Sequence, residues 1–421
     1  LKFSAGYITG YLREAPLFTQ EMMEPGQGSD AATQVIAQLP LDGHQITAQV
    51  DLKQLIAPNT FLKAGVKISD GIIENFATYD TISRQPPRRN QALSDSLSYD
   101  ERVFAGYLSL QRDLGKFNLQ GGMRAEQTVV TTGSIKAGRA NEFTYLNWFP
   151  NLSLSYNGGK NFRGTLGFSS ALSRPNYLLL NPYVRFLDAF TFQTGNNDLL
   201  PELKYRVSFV GNLFQFLNLN LGYLYGKDYV NNVRTLEADG VTTRISPENA
   251  YDSEAWYASV TAYYEAGNNR RFRGQFNFLI IPFQLIIDEA FVDRLPEAPS
   301  DKRLNVSTSN SYRLFDDFTL EQSFRYIRGQ AGFQTQTFER WTLNLGCRYK
   351  LLDEALTVGV RVTDLFNTYN DNGRNFFNGY EANYFSDFNT RRLIISANYN
   401  IGKLRRKGYH KSTGEVERFK N

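Results

Sequence analysis

The 421-residue sequence contains a single cysteine, Cys347, and only two histidines, His44 and His410. One cysteine excludes an intramolecular disulfide and a multi-cysteine metal centre. Neither an HExxH nor a GxSxG motif is present. We therefore predict that the protein is not an enzyme, and that it has no cofactor and no metal site.

Long apolar runs are also missing. No stretch of about 18 apolar residues occurs, which excludes a membrane protein built from helices, and the mean hydropathy is -0.41. The net charge of +4 is too small to indicate a nucleic-acid partner. No linker rich in proline and serine divides the chain, so the sequence predicts one continuous folding unit.

What the sequence does contain is two-residue alternation. Near the C-terminus, residues 393–401 place apolar side chains at odd positions and mostly polar ones at even positions. This period is typical of a β-strand with one apolar and one polar face. Such segments approach the length of about 9–11 residues that crosses a bilayer in a tilted strand. The same pattern recurs at residues 45–53, 117–126, 217–225, 341–350 and 356–363.

The two faces of these strands distinguish a membrane barrel from a soluble sandwich. Aromatic residues gather near the ends of the apolar faces, for example Phe318, Phe324 and Tyr326, as in the aromatic girdles of lipid interfaces. We therefore predict an all-β fold, a transmembrane antiparallel up-and-down β-barrel, with Cys347 an inert thiol on the lipid side. The charged residues expected to face the enclosed interior are Arg124, Glu126, Arg163, Glu321, Arg325, Arg348 and Arg361.

Short and long connections alternate along the chain, which predicts about sixteen strands with short periplasmic turns, long outer loops and a periplasmic C-terminus. Pro282 interrupts one strand and is predicted at a rim or a bulge, since proline cannot donate to the ladder. The predicted short turns are 57–59, 114–116, 157–160, 267–269, 316–317 and 352–354. The predicted loops are 15–43, 71–98, 176–201, 231–252, 287–301 and 368–388, with shorter ones at 131–141 and 329–336.

Several short motifs recur at intervals along the chain. Four of them follow one another: Phe149-Pro150-Asn151, Ser173-Arg174-Pro175-Asn176-Tyr177, Leu180-Asn181-Pro182 and residues 195–202. Gly122-Met123-Arg124-Ala125-Glu126 precedes them and Asp364-Leu365-Phe366-Asn367 follows. In this order they resemble the outer-membrane β-barrel region of TonB-dependent receptor-like proteins of the Bacteroidota. The one departure is Asn197, where the family has proline.

The resemblance implies a 22-stranded barrel with an N-terminal plug, which imports a ligand with energy relayed by a TonB system. Because a strand-like segment starts at Leu1, we expect this chain to supply the C-terminal part of that barrel, or to be a shortened relative. The plug and the TonB-contacting segment would then lie in sequence that is absent here. We predict barrel over residues 1–402, a basic periplasmic tail over 403–421, and outer-membrane lipid and a surface lipoprotein as partners.

Two outer loops are rich in aromatic, amide and charged residues, which would suit a glycan or a peptide. The alternative is that the rings pack the loops together or form the outer interface belt. For the motifs themselves we favour structural roles: Pro175 and Pro182 end the ladder, and Gly195 supplies positive φ in a turn. The candidate ligand-binding residues are Tyr177, Tyr183, Arg185, Tyr369, Asn372, Tyr380 and Tyr384.

Three functions remain open at this point. The leading hypothesis is an outer-membrane receptor and transporter whose long extracellular loops bind a ligand or a partner. The alternatives are a plugless scaffold subunit of an outer-membrane complex and a passive sixteen-stranded porin.

Overall fold

The structure is a computed structural model. It describes residues 1–14, 35–81, 88–91, 94–134, 140–188, 190–268, 271–289, 291, 300–377 and 380–401. The predicted basic tail therefore lies outside the described residues. Within them, no helix is both long enough and apolar enough to cross a bilayer.

Sixteen long strands form the wall of the molecule. Their bounds are β1 Lys2–Glu14, β2 Val35–Ala57, β3 Thr60–Thr81, β5 Asp95–Leu114, β6 Phe117–Ser134, β7 Ala140–Asn157, β8 Phe162–Ser173, β11 Glu202–Leu213, β12 Leu217–Leu236, β13 Thr243–Ala266, β14 Phe272–Ile287, β15 Ser300–Arg313, β16 Phe318–Ile327, β19 Arg340–Leu351, β20 Leu356–Thr363 and β23 Arg392–Tyr399.

Smaller elements lie in the connections between wall strands. They are β4 Arg88–Arg89, the helix α1 Tyr177–Leu180, β9 Arg185–Asp188, β10 Thr191–Gln193, β17 Gln330–Ala331, β18 Thr335–Thr337, β21 Asp371–Phe377 and β22 Tyr380–Ser386. Strands β17, β18, β21 and β22 form a separate four-stranded sheet, whereas β4, β9 and β10 join the wall.

Every wall strand pairs antiparallel with the next wall strand along the chain, from β1 to β23. The predicted up-and-down topology and the count of about sixteen are confirmed. Among the described residues, the outer edges of β1 and β23 pair with no strand. The wall is thus an open sheet, and both of its edge strands expose large apolar side chains, such as Phe3 at 71% and Ile395 at 70%.

Near the short turns, the apolar side chains point outward, as predicted. On residues 104–114 of β5 the exposed apolar residues alternate with polar ones on the inner face. We call this region the lower wall, and it matches a lipid-facing surface. Aromatic rings on neighbouring strands contact each other near the turns. The ring centroids of Phe117 and Tyr156 lie 4.9 Å apart, and those of Phe272 and Tyr312 lie 4.7 Å apart.

Beyond the lower wall the strands continue, and their hydrophobic phase reverses. On residues 69–81 of β3 the inward side chains Ile73, Ala77 and Tyr79 are 1–2% exposed, whereas Glu74 and Phe76 on the outer side are exposed. We call this region the upper wall; it comprises residues 69–81 of β3, 95–103 of β5 and 126–134 of β6. Its pattern is that of a soluble sheet packed on a core.

This reversal explains where the predicted loop boundaries are wrong. The predicted loop 71–98 is largely strand, because β3 runs to Thr81 and β5 begins at Asp95. The predicted loop 231–252 is a hairpin with a turn at 237–242, and the predicted loop 15–43 includes the start of β2. At residues 71–81 and 95–98 the alternation continues, but the buried apolar side chains lie on the inner face.

The short turns lie where they were predicted, and the connections 176–201, 287–301 and 368–388 are long as expected. Pro282 lies inside β14 and not in a bulge, since the register on either side of it is unchanged. Pairing with β13 is interrupted for two positions there: Ala255 pairs with Phe283, and the next pair is Ala258 with Ile280. Pairing with β15 continues through Pro282 and Lys302.

Candidate functional site

The connection between β8 and β11, residues 174–201, folds inward against the upper wall; we call it the strap. Its short helix α1 begins at Asn176, whose side-chain oxygen accepts a hydrogen bond from the Leu178 N–H at 3.0 Å. Tyr177 meets Tyr99 edge to face, with ring centroids 5.5 Å apart. The strap and the upper wall share one buried apolar cluster, formed by Ile73, Leu97, Tyr99, Val130, Tyr177, Leu180 and Leu199.

One end of the strap is held by a buried ion cluster. The Arg174 guanidinium lies 2.5 Å from a Glu101 carboxylate oxygen on β5 and 3.1 Å from Glu126 on β6. Arg124 contacts the other Glu126 oxygen at 2.6 Å, and Arg174 donates to the Thr128 hydroxyl at 3.0 Å. Burial alone would lower the pKa of Arg174, but the two carboxylates raise it above its usual value. Removing one member of such a cluster costs about 3–5 kcal/mol, because the remaining charges stay buried.

The other end of the strap is tied to β13. Strand β10 pairs parallel with residues 243–245 of β13, and the Asn196 amide donates to the Pro247 carbonyl at 3.1 Å and to Glu248 at 2.8 Å. Asn249 exchanges two hydrogen bonds with the Leu200 backbone, at 2.8 and 3.0 Å. The strap therefore spans from the β5–β6 side of the wall to β13.

Gly195 has a different role from the predicted one. Its φ is not positive. Instead, a Cβ atom at this position would overlap the Asn181 carbonyl oxygen, which accepts a hydrogen bond from the Gly195 N–H at 2.9 Å. Glycine is needed here because two segments of backbone approach closely.

A second loop, residues 328–339, packs on another part of the wall. Phe333 is 5% exposed and its ring lies 5.4 Å from that of Tyr251. The Gln334 carboxamide accepts from the Arg234 N–H at 2.7 Å and donates to the Arg234 carbonyl at 3.1 Å. This loop thereby covers the end of β12 and the adjoining strands, with Val233, Ala250 and Leu285 forming a buried cluster around Phe333.

The predicted ligand-binding residues of the first loop have different environments. Tyr177 is 4% exposed and belongs to the buried cluster, whereas Tyr183 and Arg185 line a cavity of ≈ 470 Å³. We call it the strap cavity. Its lining residues are Asn176, Leu178, Leu179, Asn181, Tyr183, Arg185, Gln193, Thr194, Gly195 and Pro247.

The predicted residues of the second aromatic loop lie elsewhere. The Arg340 guanidinium lies 4.9 Å from the Tyr369 ring centroid, and Tyr369 lines a different cavity, together with Arg325 and Asp364. Asn372 and Tyr384 lie on the paired strands β21 and β22, and Tyr380 is 55% exposed. The seven predicted residues thus form two groups on separate loops.

Asp364, which begins one of the family motifs, organises that second loop. Its carboxylate accepts hydrogen bonds from the Thr390 hydroxyl and from the backbone N–H groups of Thr368 and Tyr369, both at 3.1 Å. Burial raises the pKa of Asp364, but these donors outweigh it and hold the pKa below its usual value. The residue joins the two ends of loop 364–391.

The inner face of the wall carries the predicted charges. Glu321 lies 2.6 Å from Arg348 and 3.2 Å from Arg361, across neighbouring strands. Within the described ranges, no group of three or more histidine, cysteine, aspartate or glutamate residues is placed to hold a metal ion.

Sequence reasoning missed the role of Arg174 and missed Glu101 altogether. The available signal was that two family motifs, one with Arg174 and one with Glu126, contain opposite charges. Nothing in the sequence pairs them, since they are 48 residues apart.

The wall, its outward apolar band and its polar inner face define an outer-membrane β-barrel protein. The chain belongs to the outer membrane protein beta-barrel family, whose sequence profile matches residues 1–399. It resides in the outer membrane, as predicted. No curated protein sequence matches it significantly.

Solved structures of TonB-dependent receptors share the fold. The ferric citrate transporter FecA, in its unliganded form, is 10% identical with a TM-score of 0.63, covering 94% of this chain and 58% of that one. The ferric yersiniabactin uptake receptor FyuA from Yersinia pestis is 13% identical, with a TM-score of 0.59 and the same coverage. The copper transporter OprC is 14% identical with a TM-score of 0.61, covering 94% and 61%.

The chain thus spans about three fifths of the length of these structures. The resemblance to TonB-dependent receptors is confirmed for the fold, and the link to the Bacteroidota stays a prediction.

Proposed function

We propose that the chain forms the wall and outer mouth of an outer-membrane receptor that imports a ligand with energy from a TonB system. The observation that carries this proposal is the strap. It fills the upper wall with a buried apolar cluster and is fixed at both ends, by Arg174 and by Asn196. A passive porin works through a permanently open aqueous path, whereas a gated receptor works with its mouth covered between transport events.

The free edges of β1 and β23 suggest how the wall is completed. Lipid offers no partner to unpaired backbone groups, so an open sheet edge is not stable in a bilayer. We propose that further strands pair with both edges and enclose a plug against the charged inner face. In a Cys347→Ser background, a cysteine at Ser4 combined in turn with cysteines along β23 should form no disulfide. Efficient cross-linking at one register would show direct closure and contradict this proposal.

Conductance and uptake test the function itself. The protein purified from outer membranes should give no steady conductance in planar bilayers, and uptake of its ligand by cells should stop when the proton gradient across the inner membrane is dissipated. A large, constant conductance would support the porin hypothesis. Uptake that persists without the gradient would exclude the TonB-dependent mechanism.

A further inference from the structure

The strap cavity contains a buried hydrogen-bond donor without a partner. Asn181 is 2% exposed; its side-chain oxygen accepts from the Tyr183 N–H at 3.4 Å, and its Nδ2 is buried with no partner among the described residues. Buried polar groups are nearly always hydrogen-bonded. Asn181 lines the strap cavity, so a ligand with an acceptor oxygen would supply the partner that this donor lacks among the described residues.

Other donors of the cavity are also unused. The Asn176 oxygen is occupied by the Leu178 N–H, which leaves its NH₂ group with no bond to the described residues. Gln193 makes no side-chain hydrogen bond within the described ranges, and Arg185, which is exposed at the rim, has no ion pair there. The lining therefore offers three carboxamides and one guanidinium, with donors in excess of free acceptors.

The remainder of the lining is apolar. Leu178, Leu179 and Pro247 provide hydrocarbon surface, and the Thr194 hydroxyl already donates to the Pro182 carbonyl at 3.0 Å. A ligand that fits this lining carries several hydrogen-bond acceptor oxygens for the amides, one anionic group for Arg185, and an apolar part for the hydrocarbon surface. A neutral saccharide fits less well, because each hydroxyl group brings a donor as well as an acceptor.

We propose that the strap cavity binds a short peptide, with its free C-terminal carboxylate on Arg185, its carbonyl oxygens on the Asn176, Asn181 and Gln193 amides, and an apolar side chain against Leu178, Leu179 and Pro247. This inference rests on the proposed receptor function and names the ligand class of its outer mouth. An Arg–carboxylate hydrogen-bonded pair is a strong and specific contact for such a terminus.

Calorimetry on the protein purified from outer membranes tests the assignment with two probes, the tripeptide Ala-Leu-Leu and its C-terminal amide. We expect the free acid to bind about 10- to 100-fold more tightly, the range for one charge-assisted hydrogen bond. Arg185→Gln should remove this preference. Asn181→Asp, which replaces the unpaired donor with an acceptor of the same shape, should weaken binding of the acid at least about tenfold. The control Arg273→Gln changes an exposed arginine near a short turn that pairs with Glu265 outside the cavity, and it should leave the affinity unchanged.

Equal binding of acid and amide, an unaltered preference in Arg185→Gln, or no peptide binding at all would overturn the inference. Maltotriose binding that is sensitive to Asn181→Asp would overturn it in favour of a saccharide. Protease resistance of the strap in each variant shows that the cavity is still formed. The receptor function fails separately, when peptide binds as described but uptake does not depend on the proton gradient.

Discussion

Strand β5 runs through both the lower and the upper wall, and its apolar residues change sides between them. In the lower wall Phe104, Leu108 and Leu114 are 47–55% exposed on the outer face. In the upper wall Leu97 and Tyr99 are 2% and 6% exposed on the inner face. Lipid surrounds the first set, whereas the strap covers the second. The same strand can therefore face lipid in one region and pack on a buried core in the other, since hydrogen bonding between strands does not depend on which face is apolar.

The two regions also use charge differently. In the lower wall, Glu321 pairs with Arg348 and Arg361, whose side chains are 53% and 54% exposed. At the upper wall, Arg174 of the strap and Glu101 of β5 have side-chain exposures of 16% and 3%. Exposed pairs typically contribute about 0–1 kcal/mol, whereas a buried charge that loses its partner costs several times more. We therefore expect the upper cluster to determine whether the strap stays in place.

The largest effect should follow from Arg174→Ala. This change removes the cation between the buried Glu101 and Glu126 carboxylates, of which Glu126 keeps Arg124, and we expect it to destabilise the strap by about 3–5 kcal/mol. Hydrogen exchange and limited proteolysis should show rapid opening of residues 174–201, while the lower wall stays protected. The matched control is Arg348→Ala, whose exposed side chain pairs with Glu321, and we expect an effect below about 1 kcal/mol. Equal protection of the strap in Arg174→Ala and the wild type would contradict a role for the ion cluster in holding it.

A smaller effect should mark where the lipid-facing surface ends. Ile68 and Glu74 both point outward from β3, and Ile68 is 50% exposed. We expect Ile68→Arg to destabilise the folded barrel by about 2–4 kcal/mol, the cost of a cation facing hydrocarbon, and Glu74→Arg to have almost no effect. Urea unfolding in bilayers of defined thickness measures both. Equal tolerance of the two changes would place the boundary of the lower wall below Ile68.

Alternation of apolar and polar residues was sufficient to predict the wall. It located the short turns and about sixteen strands, because the lipid requires a continuous apolar outer face over each crossing. It failed at residues 71–98 and 231–252, because there the apolar face turns inward and the strand lengths are no longer set by the bilayer. The ion cluster could not be predicted, since its geometry depends on the strap folding back onto β5 and β6. Whether the seven candidate residues bind a ligand stays a prediction.

The smallest effect concerns Asp364 and depends on pH. Because hydrogen bonds from Thr390, Thr368 and Tyr369 depress its pKa below the value in the unfolded chain, about 3.9, the carboxylate stabilises loop 364–391 fully above that pH. The stabilisation decreases as the pH falls toward the folded-state pKa, where the proton displaces the donors. Asp364→Asn should weaken this anchor by about 1–3 kcal/mol at neutral pH. Hydrogen exchange in the loop, corrected for intrinsic rates, should therefore rise below pH ~4 in the wild type and stay constant in the variant. The same acid dependence in both proteins would assign it to another group, and the Asp364 contacts would then not control the loop.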